Sequence, residues 1–297
     1  MGEGTAQRGI VVLADGIQTA FAAGAVAALA RSGCRWRQGL GAGLGGQVAL
    51  LALLGEADEA ARRWRRQGEL GCPLLRSSLA AAGERVGAAE GVVLMPDAWR
   101  LGGWLDPQAL AEHLAPEAAD SGGRLGRAGS VLGLAVTDLV SGEASWAEIH
   151  GQTPEEALRR IDATARFAGG WAPLAISSAT DHRLLAGGVG STPAGALPKA
   201  LEWDVVCGFP VPAVRRPGVG SAIWETVQRR AEMRAAALVA SWKVAGARVV
   251  CPTGDALRAA SGRPDAELEV EYPLPWERNG ELCGVLVQMG EAAVAEG

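Results

Sequence analysis

Residues 41–45 read Gly41-Ala42-Gly43-Leu44-Gly45. The outer glycines have the spacing of a nucleophile elbow, Gly-x-Ser-x-Gly, in which a strained strand-to-helix turn holds a serine hydroxyl for attack on an acyl carbonyl. The central position holds Gly43, which has no side chain and cannot attack anything. No serine or cysteine elsewhere in the chain has glycines both two before and two after it. The three histidines, His113, His150 and His182, are dispersed. Asp181 and His182 are adjacent, but neighbours on an extended chain point to opposite faces, so they do not make a Ser-His-Asp arrangement on their own. The cysteines Cys34, Cys72, Cys207, Cys251 and Cys283 show neither a Cys-x-x-Cys nor zinc-ligand spacing. No metal site and no cofactor is expected, and buried free thiols in a reducing compartment are the simplest account of the cysteines.

The elements that would carry such a site follow from local pattern. Gly9–Leu13 is a short, continuous apolar run and reads as a buried strand, with a turn at 14–19 and an apolar helix over Ala20–Arg31. The glycine cluster at 39–46 runs into a second apolar helix, and a charged helix follows over about 56–67. Residues 71–126 hold Pro73, Pro96, Pro107 and Pro116 and read as a helical insertion or lid, with a helix at 107–114. Residues 131–139 form a further strand, followed by a hairpin return over 144–149. Pro154-Glu155-Glu156 opens a helix, with proline in its first turn and carboxylates at its positive end. Strands at 184–189, 203–209 and 248–251, a long helix at 221–244 and a final strand at 281–288 complete the pattern.

Four segments, in this order, resemble the patatin-like phospholipase family. Residues 13–24, Leu-Ala-Asp-Gly-Ile-Gln-Thr-Ala-Phe-Ala-Ala-Gly, are similar to its glycine-rich oxyanion loop and first helix; Gly41–Ala49 is similar to its elbow. Ala135–Glu143 matches an Ala-Thr-Asp-Leu…Gly-Glu stretch, and Trp171–Leu174 with Leu185–Val189 matches a proline-containing loop and an Asp-Gly-Gly motif. The match covers about residues 9–212 of one domain, 9–297. It implies a three-layer α/β/α fold with a central, mainly parallel sheet, and a Ser–Asp dyad acting on acyl esters of lipids. Carried over by position, the serine falls on Gly43 and the aspartate on Ala186. The oxyanion loop falls on Ala14, Asp15, Gly16 and Gln18.

That chemistry should fail. Gly43 cannot attack, Ala186 cannot take a proton, and Asp15 would repel the developing oxyanion. A carboxylate just before a helix can instead accept hydrogen bonds from its free N–H groups, so Asp15 is expected to cap the first helix and plug the old anion site from within. An inactive, patatin-like chain would act as an interaction or regulatory subunit, paired with an active relative or another enzyme. It would otherwise bind an apolar or acyl ligand in a pocket lined by Asp15, Gly43, Leu44, Trp99, Trp104 and Trp171. The enzyme alternative is ester hydrolysis through non-standard residues, or acid–base work by Asp15. A net charge of −5 and the lack of a long basic run argue against nucleic acid. The absence of a signal-peptide pattern and of a spanning apolar run makes a cytoplasmic location the expectation, and nothing in the sequence supports peripheral membrane contact.

Overall fold

The computed structural model describes residues 8–70, 120–150, 152–166, 173–177, 182–199, 201–211, 223–256 and 276–295. The expected helix at 107–114 and most of the expected insertion lie outside them. In chain order the elements are β1 (Arg8–Ala14), a 3-10 turn (Gly16–Gln18), α1 (Thr19–Arg31), β2 (Gln38–Gly43), α2 (Gly45–Leu53) and α3 (Ala57–Leu70). Then come α4 (Ser121–Ala128), β3 (Val131–Asp138), β4 (Ala144–Glu148), α5 (Pro154–Ala165), β5 (Leu174–Ser177) and β6 (His182–Ala186). The remainder is β7 (Glu202–Cys207), α6 (Ile223–Val244), β8 (Arg248–Val250) and α7 (Trp276–Ala295).

The eight strands form one sheet in the order β5-β6-β3-β2-β1-β7-β8, with β4 on the other edge of β3. The run β3-β2-β1-β7-β8 is parallel throughout. The fold is therefore α/β, with a central, mainly parallel sheet between helical layers. A sheet covered on both faces needs strands that are apolar on both faces, and β1 supplies this. Ile10 and Val12 face a cluster built from α1, α2, α3, α5 and α7, while Val11 and Leu13 face Ala235, Ala236, Val239 and Trp242 of α6.

The helices begin and end for local reasons. The hydroxyl of Thr153 accepts from the Glu156 amide at 3.3 Å while the Glu156 carboxylate accepts from the Thr153 amide at 3.3 Å, a capping box that starts α5 with Pro154 at its first position. Gly55 closes α2 with φ +77°, a left-handed conformation that favours glycine.

Among the described residues, the expected strand at 184–189 lies instead at His182–Ala186, with a 3-10 turn at Val189–Ser191, and the expected final strand is absent. Residues 281–288 are not a strand; they lie inside α7, which packs along α1 and α3. The run Leu282-Cys283-Gly284-Val285-Leu286-Val287 is apolar and partly β-branched, and short apolar runs do not distinguish a buried strand from a buried helix. Tertiary packing decides for helix. A Cβ on Gly24 of α1 would overlap the Val287 carbonyl, and one on Gly290 would overlap the Phe21 carbonyl, so the two helices meet backbone to backbone. Glu291 accepts from Arg31 at 2.9 Å and from Arg65 at 2.7 Å, tying α7 to α1 and α3 at the surface.

Candidate functional site

The C-terminal ends of parallel strands are where open α/β sheets place ligands. Three segments meet there: the end of β1, the β2–α2 turn and the loop after β6. The parallel register pairs Ala14 with Gly43, which sets Asp15 beside the turn. The antiparallel register explains how the β6 end arrives. Gly133 and Leu134 of β3 pair with β2 on one edge and β4 on the other. Thr137 pairs with Ala144 of β4 and with Ala186 of β6, so β6 continues the edge that β2 vacates at its turn. Ala186 therefore stands in line with β2, beyond Gly43.

The β2–α2 turn has the backbone of a nucleophile elbow. Gly43 has φ +64° and leads through Leu44 into α2. A side chain there would meet two obstacles. Its Cβ would overlap Asp15 Oδ1, and it would lie 2.5 Å from the Ala14 carbonyl oxygen. The second obstacle is backbone and cannot rotate away. The space a serine hydroxymethyl group would need is occupied by the Asp15 carboxylate.

Asp15 is 2% exposed, and its own backbone is extended, with φ −118° and ψ 151°. The capping expectation fails here. The Asp15 side chain makes no capping bond to the 3-10 turn that follows it. Its Oδ2 instead accepts from the Val189 amide at 2.9 Å. With the other carboxylate oxygen against Gly43, one side chain spans from the β2–α2 turn to the loop after β6. It also stands near the N-terminus of α2, whose free amides and dipole favour a negative charge.

The receiving loop is held from below. Gly187 donates to the Arg166 carbonyl at 2.8 Å and Gly188 donates to the Thr164 carbonyl at 2.8 Å, both at the end of α5. A Cβ on Gly187 would overlap the Thr164 carbonyl, and Gly188 has φ +86°, so close approach requires the first glycine and a left-handed backbone favours the second. Thr164 Oγ1 in turn donates to the Ala135 carbonyl at 2.7 Å. Arg166 forms a buried, two-bond pair with Asp162 at 2.7 and 2.9 Å. On the other side, Thr137 Oγ1 donates to Ser191 Oγ at 2.9 Å, and Ser191 Oγ donates to the Gly187 carbonyl at 2.9 Å. The Val189 amide is thus aimed at Asp15 by a loop fixed on two sides.

The remaining candidates fall as follows. Ala14 ends β1, Gly16 is buried with φ +52°, and Leu44 is buried as the residue that opens α2. Gln18 donates from Nε2 to Glu232 of α6 at 2.9 Å, crossing from the loop to the opposite helical layer. Ala186 carries only a methyl group where a carboxylate was the family expectation. Trp99, Trp104 and Trp171 lie outside the described residues. Residues the sequence did not single out are Val189, Ser191, Thr164 and Glu232. The glycine pair Gly187-Gly188 was the available signal for the first two, whereas Glu232 had none. Among the described residues no group of three or more metal-ligating side chains forms, and no helix is long and apolar enough to cross a membrane.

No family model matches the chain, and no curated protein matches its sequence. Among solved structures it is similar to VipD from Legionella pneumophila, at 11% identity and a TM-score of 0.45, covering 98% of this chain and 67% of that one. A likeness of that size says nothing about activity.

Proposed function

We propose that this chain is a patatin-like protein without hydrolase activity that works as an interaction or regulatory subunit. The observation that carries the reading is the Asp15 carboxylate lying against Gly43, in the volume a nucleophile would need. Acyl transfer requires a nucleophile, a proton acceptor and donors aimed at the oxyanion. Gly43 and Ala186 lack the first two, and Asp15 brings negative charge to the third. Removing a single oxyanion donor already costs about 100- to 1,000-fold in rate.

A subunit role is favoured over an apolar ligand pocket because a buried carboxylate fills the described part of the site, beside Gly43. Apolar surface lies instead at the β3–β4 turn, where Leu139 is 49% and Val140 69% exposed at the same end of the sheet. The proposal takes 9–297 as one domain in the cytoplasm and another protein chain as partner. It requires no cofactor. Acid–base work by Asp15 is disfavoured because one carboxylate oxygen is engaged by the Val189 amide and the other lies against Gly43.

Native mass spectrometry of the protein purified gently from its own host tests this reading. A heteromeric mass is the expected result. A lone or homomeric chain carrying an added small-molecule mass would overturn the subunit role in favour of a ligand binder.

A further inference from the structure

Cys207 and Cys251 form a dithiol at the same end of the sheet, on the face covered by α6. The parallel register runs Asp204 to Arg248, Val205 to Val249 and Val206 to Val250, and its next step sets Cys207 opposite Cys251. Both belong to the apolar cluster with Val205 and Trp242, so both side chains lie on one face of the sheet. Neighbouring strands run about 4.8 Å apart, inside the range of about 4.4–6.8 Å between Cα atoms that a disulfide accepts. Cys207 is the last residue of β7 and Cys251 the first beyond β8. Cys207 is held to β1 opposite Leu13, whereas Cys251 lies past the end of the β7–β8 ladder, so it is the Cys251 backbone that adjusts to bring the two Cβ atoms to disulfide separation. Cys34 and Cys283 belong to the cluster on the opposite face, with the sheet between.

We infer that Cys207 and Cys251 are a redox-sensitive pair that closes to a disulfide in the presence of a low-molecular-weight disulfide. Cys251 is half-buried and is the entry point, whereas Cys207 is fully buried. The Cys251 thiol releases its proton to solvent, and the thiolate attacks one sulfur of the small disulfide, breaking its S–S bond. One small thiol leaves, and Cys251 carries a mixed disulfide. Cys207 then gives up its proton and attacks the Cys251 sulfur, expelling the second small thiol. Two protein thiols are oxidised and one small disulfide is reduced to two thiols, so electrons and protons balance. Burial, followed by the neighbouring Cys251, pushes the Cys207 thiol well above its ordinary range, which makes the closing step slow and faster as pH rises.

The consequence is local to the site. Gly208, next after Cys207, donates to the Leu13 carbonyl at 2.9 Å and lies against Gln18, so closure pins the sheet edge beside the Asp15 loop.

The test is incubation of the reduced full chain with oxidised glutathione at mildly alkaline pH, followed by intact mass and a non-reducing peptide map. The expected product has lost two hydrogens, retains no glutathione and joins the Cys207 and Cys251 peptides. Cys207→Ser is expected to keep glutathione on Cys251, and Cys251→Ser to give no bridge to Cys207. A stable glutathione adduct on Cys251 of the native chain would overturn the inference. So would a bridge between other cysteines or an unreacted Cys251. The native-chain map decides even if a variant folds poorly.

Discussion

Gly43 and Gly24 are each forced to be glycine, for different physical reasons. At the β2–α2 turn, Gly43 needs both a left-handed backbone and an empty Cβ position, because Asp15 and the Ala14 carbonyl occupy that volume. At the α1–α7 crossing, Gly24 sits in an ordinary helix, and only close approach to the Val287 backbone excludes a side chain. The first place combines a strand-to-helix turn with a filled Cβ position. The second is packing alone. The difference shows that the same residue type can be required by backbone conformation and crowding together at one place and by crowding alone at another.

Stability measurements can separate the two cases. Gly43→Ser adds overpacking and a left-handed residue, and is expected to destabilise by about 3 kcal/mol in denaturant unfolding. The same change in an Asp15→Gly background removes one obstacle and leaves the Ala14 carbonyl. A double-mutant cycle is expected to show a coupling of about 1 kcal/mol or more. A coupling near zero would mean that Asp15 does not fill the position.

Gly24→Ala should cost about 1–2 kcal/mol, since overpacking between backbones outweighs a helix-propensity gain of about 1 kcal/mol. A stabilised Gly24→Ala variant would break the comparison by showing that the crossing can open. Gly55→Ala provides the reference for conformation without crowding. Nothing lies within 4 Å of its Cβ position, yet its φ is +77°, so a loss of about 1 kcal/mol is expected.

Much of the architecture was legible because its signals are local. The apolar run at β1, the glycine-to-helix step at β2–α2, the β3–β4 hairpin and the Pro154 helix start each rest on residues within a few positions of one another. The α7 helix was not legible, because its helical state is decided by α1, more than 250 positions earlier in the chain. That position 43 carries no side chain is read directly from the sequence. What fills its Cβ position is not. Asp15 precedes a helix and looks like a cap, but its partner is the Val189 amide, 174 positions away. The strand register that brings the β6 loop beside the elbow cannot be read from either segment alone.

The central claim is that this elbow cannot perform acyl transfer. The most direct measurement is hydrolysis of a chain-length series of p-nitrophenyl esters by the native chain and by Asp15→Asn. The account predicts no turnover by either above the uncatalysed rate. Turnover by the native chain that disappears in Asp15→Asn would contradict it and make Asp15 a catalytic base.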